Sequence, residues 1–153
     1  MRINFVKKLF DYPNSENVRL SYWWSEDKNI DSKYFADMIH YTEFFKYKIF
    51  FIVDGNCIAS NHMWGFASGG IPFLISNGRC WFSHLIEPYV HYMPVKYDLS
   101  NLIEQVEFIK NNDHFASIIA KNASMFSKEY FSSSFQKKYL LEKMNKFCKD
   151  DGI

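Results

Sequence analysis

The stretch Lys46-Tyr47-Lys48-Ile49-Phe50-Phe51-Ile52-Val53-Asp54-Gly55-Asn56-Cys57-Ile58-Ala59-Ser60-Asn61 decides the fold. The apolar run Ile49 to Val53 lies between Lys48 and the polar turn Asp54-Gly55-Asn56. A strand with one wet face alternates apolar and polar residues. An unbroken run of this length is a strand buried on both faces, as in a parallel sheet covered by helices. In such sheets ligands bind where the strands end.

The pattern repeats downstream. Ala59 to Ser68 reads as a short helix stopped by Gly69-Gly70. Ile71 to Ile75 is a second buried strand, with Pro72 tolerable near its start. Ser76-Asn77-Gly78 is a turn. In Pro88-Tyr89-Val90-His91-Tyr92-Met93-Pro94-Val95-Lys96-Tyr97-Asp98-Leu99-Ser100-Asn101-Leu102, a third strand runs from Tyr89 to Val95. Asp98 can then cap the helix that follows.

The flanks follow the same logic. Met1 to Leu9 reads as a strand followed by a short helix, Val18 to Trp24 as a strand, and Lys33 to Phe45 as a helix capped by Asp31 or Ser32. The tail is helical. Leu102, Val106 and Ile109 share one face; Phe115, Ile118, Ile119, Asn122 and Phe126 follow at helical spacing. Phe135, Tyr139, Leu140, Met144 and Phe147 form a third amphipathic stretch. The expected fold class is α/β: a Rossmann-like parallel sheet with a helical C-terminal cover.

Composition narrows the function. A chain of 153 residues with 48% hydrophobic content fits one domain with a real core. Net charge is +1 and no Lys/Arg stripe exists, so a nucleic-acid partner has no electrostatic footprint. No apolar run reaches the length of a membrane span, and Met1 to Phe10 is too short in apolar length for a signal peptide. Cys57, Cys80 and Cys148 are odd in number and widely spaced. That suits reduced thiols in a cytosol-like compartment, and the expected location is cytoplasmic. His40, His62, His84, His91 and His114 have no metal-ligand spacing with Cys or carboxylates, so no metal and no cofactor are expected. His91, inside a strand, reads as a hydrogen-bonded core residue.

The candidate site gathers at the strand ends. Asp54-Gly55-Asn56 is either a plain turn between strand and helix or a loop over a ligand, where glycine permits close backbone approach. Ser60 opens the next helix, as an ordinary N-cap or as a hydroxyl donor to a phosphate. Arg79 is either a solvated loop residue or a cation for phosphate. Glu87 is a candidate acceptor for a sugar or ribose hydroxyl.

Together these anchors resemble glycosyl transferase family 90. The resemblance rests on Lys46-Tyr47-Lys48…Asp54-Gly55-Asn56, Gly69-Gly70, Pro88…His91-Tyr92-Met93-Pro94-Val95 and Asp98-Leu99-Ser100-Asn101-Leu102. Asn29-Ile30-Asp31-Ser32-Lys33 and Asn111-Asn112-Asp113…Ala120…Phe126 also fit. It implies a GT-B fold of two facing Rossmann-like lobes, of which this chain resembles the C-terminal, donor-holding lobe. Residues 1–30 are then an N-terminal segment and 31–150 the donor-lobe-like domain. The implied site is Asp54, Gly55, Asn56, Ser60, Asn61, Arg79 and Glu87. Asn61 departs from the arginine that many members carry there. With Trp64 it resembles the lipopolysaccharide-modifying branch.

The implied function is a nucleotide-sugar-binding glycosyltransferase domain, with a glycan, lipopolysaccharide or protein as acceptor. The resemblance puts the catalytic base in an N-terminal lobe, and a lobe of that kind needs on the order of 100 residues. The expected partner is therefore a separate N-terminal lobe docked on an aromatic face, with Trp23, Trp24 and Trp64 as candidates. A non-catalytic remnant that still binds a sugar nucleotide or a protein is the alternative.

Overall fold

The computed structural model describes residues 2–13, 18, 20–21, 30–37, 40–54 and 61–150. Helix α1 spans Arg2–Leu9, strand β1 Leu20–Ser21 and strand β2 Phe35–Ala36. Then come β3 (Ile49–Val53), α2 (Asn61–Ala67), β4 (Ile71–Ile75) and β5 (Met93–Pro94). Three helices close the chain: α3 (Leu102–Asn111), α4 (Asp113–Tyr130) and α5 (Ser133–Asp150).

The three apolar runs form one parallel sheet in the order β3-β4-β5. Ile49 pairs with Ile71 and Val53 with Ile75, so the two runs lie in full register. β4 is central, and its Phe73 and Ile75 are wholly buried. Pro72 fits there because the β3-facing bonds of β4 use Ile71, Phe73 and Ile75, and its absent N–H falls on the other side. A second, two-stranded parallel pair joins Leu20 to Phe35 and Ser21 to Ala36.

Helices cover both faces, as a sheet that is apolar on both sides requires. On one face α1 and α3 bring Phe5, Val6, Leu9, Val106 and Ile109 against Val53, Ile71 and Phe73. Residues 2–9 thus share the core of the sheet domain. On the other face Phe66 of α2, with Phe82 and Ile86, meets Phe50 and Ile52. Helix α4 serves both clusters, with Ala116 and Ile119 in one and Ala123 and Phe126 in the other. Full burial of side chains of this size stabilises by about 1.5–3 kcal/mol each.

Four local expectations need correction. No strand precedes the helix among the described residues of Met1 to Leu9, because Arg2–Leu9 is helix throughout. The helix expected over Lys33 to Phe45 is instead a 3-10 turn at Ser32–Tyr34, β2, and a second 3-10 turn at Tyr41–Lys46. Asp31 does cap, accepting the Lys33 N–H at 3.0 Å, but the buried Phe35 pairs with Leu20 and holds the backbone extended. The third strand is only Met93–Pro94. Pro88 to Tyr92 forms a turn in which Tyr89 has φ +62° and its N–H bonds the Tyr92 carbonyl at 2.7 Å. Asp98 caps no helix: it accepts the Ser100 N–H at 2.9 Å within a loop, and α3 begins after Asn101. The strand read over Val18 to Trp24 falls partly outside the described residues.

Candidate functional site

The described part of the site is the C-terminal edge of β3 and β4. Asp54 follows the last residue of β3 and is 7% exposed. Its N–H bonds the Ile75 carbonyl, continuing the ladder by one residue. Its carboxylate accepts the Ser76 hydroxyl at 2.5 Å and the Gly78 N–H at 3.4 Å. A buried carboxylate needs such donors. Asp54 therefore anchors the turn after β4 against the end of β3, a role for Ser76 that its sequence position showed only as a turn residue.

Arg79 follows this turn and is exposed. Among the described residues it has no ion pair or hydrogen bond, so the guanidinium at this edge is open to a ligand. Cys80 comes next, half-buried. Burial, and then the nearby Asp54 charge, push its thiol above the ordinary range. A thiol raised in this way is a poor nucleophile at neutral pH.

Asn61 is the first residue of α2, and its side chain turns inward. Nδ2 reaches the Phe51 carbonyl at 3.5 Å, while Oδ1 is buried and has no hydrogen-bond partner. The carboxamide therefore faces the side edge of β3. Glu87 is exposed and precedes β5, so it lies toward the end of the sheet where the strands begin. Its N–H donates to His91 Nδ1 at 3.0 Å, and its carbonyl accepts the His91 N–H at 2.9 Å. His91 is thus hydrogen-bonded, with its ring 5.5 Å from that of Phe126.

The structure therefore brings Asp54 and Arg79 to one edge, turns Asn61 toward the side of β3, and places Glu87 toward the opposite end. Gly55, Asn56 and Ser60 lie outside the described residues, as do Trp23 and Trp24. Trp64 is half-buried, with its ring 4.7 Å from Phe50 and 5.9 Å from Phe44. Among the described residues no three His, Cys, Asp or Glu side chains gather as a metal ion would require. No described helix is long and apolar enough to cross a membrane.

A cavity of about 470 Å³ lies beside β3. Phe5, Leu9 and Tyr12 line it from one face of the sheet, and Phe44, Trp64 and Asn61 from the other.

The amino-acid sequence matches a known family over nearly its whole length. The chain belongs to glycosyl transferase family 90, whose model matches residues 1–150. This is the family that the two sequence anchors resemble. Mouse protein O-glucosyltransferase 1 is 34% identical over 120 residues, which is 78% of this chain and 30% of that protein. Human protein O-glucosyltransferase 3 is 31% identical over 61% of this chain and 19% of that protein. Protein 179R of Invertebrate iridescent virus 6 is 35% identical over 57% of this chain and 8% of that protein. The chain thus spans less than a third of the length of these relatives.

Proposed function

We propose that this chain is the donor-holding lobe of a glycosyltransferase and binds a nucleoside diphosphate sugar over the ends of β3 and β4. The observation that carries this reading is Arg79, exposed and without an ion pair or hydrogen bond among the described residues, next to the turn that Asp54 and Ser76 lock, in a chain that matches a glycosyltransferase family over residues 1–150. In this reading Gly55, Asn56 and Ser60 supply backbone and hydroxyl donors to the diphosphate. Arg79 supplies the cation. The transferred sugar is a hexose, glucose first among candidates because two relatives are named protein O-glucosyltransferases. The acceptor is a hydroxyl of a protein or glycan.

The chemistry divides between two parts. An acceptor oxygen attacks the anomeric carbon, a base takes its proton, and the bond to the diphosphate breaks with its electron pair leaving on the phosphate oxygen. This lobe holds and neutralises that leaving group. The base and the acceptor groove come from polypeptide outside these residues. A cytoplasmic location and a role in capsule or lipopolysaccharide synthesis remain part of this proposal.

Isothermal titration with uridine and guanosine diphosphate sugars tests it. Asn61 brings no charge, so binding is weak. Arg79→Ala removes a charge-assisted bond of about 1.5–3 kcal/mol and lowers affinity about ten- to a hundred-fold. Added salt weakens the wild type and affects the variant less. Absence of binding at millimolar ligand overturns the donor site. Turnover on a simple acceptor by this chain alone overturns the division of labour.

A further inference from the structure

Arg79 is exposed and has no ion pair or hydrogen bond among the described residues, yet the backbone that carries it is held on both sides. Before it, the Asp54 carboxylate accepts the Ser76 hydroxyl at 2.5 Å and the Gly78 N–H at 3.4 Å. The same Gly78 N–H meets Ser76 Oγ at 3.0 Å. After it, the Cys80 N–H donates to Ser83 Oγ at 2.8 Å and the Ser83 N–H to the Cys80 carbonyl at 3.0 Å. Phe82 is buried in the core against Phe66, Phe126 and Phe131. A long cationic side chain thus stands on a fixed footing with its head uncommitted.

On the β3 side that footing depends on one carboxylate. The Asp54 backbone is tied into the ladder by its N–H to the Ile75 carbonyl, so the side chain starts from a fixed point. After burial, the Asp54 charge is what holds the Cys80 thiol above the ordinary range, so the carboxylate lies near the turn on both sides of Arg79. A carboxylate and a diphosphate repel, and direct contact between them would weaken binding. A useful contribution from Asp54 therefore comes through what it holds. Fixing a side chain in its bound position before the ligand arrives removes part of the ordering cost of binding.

We infer that Asp54 is a positioning residue of the donor site: through Ser76 and Gly78 it fixes the turn that presents Arg79, and so sets affinity for the diphosphate without touching it. The role in binding rests on the reading of this edge as a nucleotide-sugar site. The fixed turn rests on the hydrogen bonds alone, so each can fail without the other.

NMR on the whole chain tests the two separately. Without ligand, the backbone order parameter of Arg79 should be about 0.85 in the wild type and fall below about 0.6 in Ser76→Ala, with Phe73 unchanged. With ligand, shift titration with uridine diphosphate glucose and guanosine diphosphate glucose should show Ser76→Ala binding about three- to tenfold more weakly than the wild type. Ser76→Thr keeps a hydroxyl and should bind within about twofold of the wild type. In the Arg79→Ala background, Ser76→Ala should change affinity by less than about twofold, a coupling that loss of stability alone does not produce. Asp54→Asn keeps the shape, weakens the acceptor and removes the charge, and it should also weaken binding. Tighter binding by Asp54→Asn would mean that the carboxylate acts by direct repulsion, and overturns the inference. An Arg79 order parameter that Ser76→Ala leaves unmoved overturns it whether or not a donor binds, as does an equal loss of affinity in the two backgrounds. No binding by the wild type at millimolar donor overturns the donor reading and the role in binding together, while the order parameters still decide the fixed turn.

Discussion

The Ser76 hydroxyl reaches across the ends of two neighbouring strands to the buried carboxylate of Asp54, Oγ to Oδ2 2.5 Å. One residue belongs to the turn after β4 and the other ends β3, twenty-two positions earlier. With the Gly78 N–H, the contact ties the turn after β4 to the end of β3. Ser76→Ala removes the hydroxyl that Asp54 Oδ2 accepts and should cost about 1.5–3 kcal/mol. The check is the urea midpoint, which should fall with no change in the slope.

Gly65 sets how closely α2 lies on the sheet. A Cβ there would come within 2.9 Å of Ile52 Cδ1 and of two Phe50 ring carbons. Gly65→Ala should therefore destabilise, although alanine favours helix, because overpacking costs about 1–3 kcal/mol. For a chain of this size that lowers Tm by about 3–9 °C in a thermal scan. An unchanged Tm would mean that the Phe50 and Ile52 side chains give way freely.

The Tyr12 hydroxyl donates to the Glu107 carboxylate, and Lys110 reaches Tyr12 at 3.1 Å. The bond from Tyr12 holds the Glu107 carboxyl below its ordinary range. Burial first, and then the bond to Glu107, push the Tyr12 phenol up. The two signs differ. The Glu107 contribution is present above its unfolded pKa of about 4.3 and is lost as pH falls through the lower folded value. The Tyr12 contribution is present below about 10 and is lost as pH rises through the higher folded value. Tyr12→Phe should flatten both limbs of a plot of urea midpoint against pH.

Two phenylalanines should behave oppositely. Phe126 of α4 is buried among Phe66, Phe82 and Phe131, and Phe126→Ala should cost about 3–5 kcal/mol. Phe147 near the end of α5 is 67% exposed, and Phe147→Ser should stay within about 0.5 kcal/mol. Chemical denaturation of the two variants checks both.

The sequence made the sheet legible because Ile49–Val53 and Ile71–Ile75 are unbroken apolar runs bounded by polar turns, a pattern few other elements produce. Leu102, Val106 and Ile109 likewise declared a buried face, and all three are in the core. The segment from Lys33 to Phe45 misled because its apolar spacing suits a helix, whereas Phe35 is fixed by pairing with a residue fifteen positions earlier. No local pattern reports such a partner. Of the site, Asp54 and Arg79 could be placed from the turn residues around them. The inward turn of Asn61 could not, since the same residue type caps helices, binds phosphates and bonds carbonyls. In α5, Phe135 and Tyr139 pack on Trp81 as the spacing suggests, yet Leu140, Met144 and Phe147 on the same list are exposed. Periodicity marks an apolar stripe but not what covers it.

The strands β3, β4 and β5 follow one another in space as they do along the chain. In an open doubly wound sheet a crevice forms where that succession reverses and the connections leave on opposite faces. No reversal exists within these three strands, so none of the gaps between them is such a point. The reversal can only fall at an outer margin. A reversal at the β3 margin would lie beside Asp54, and the Asp54–Ser76 bond would then stand at the lip of the crevice.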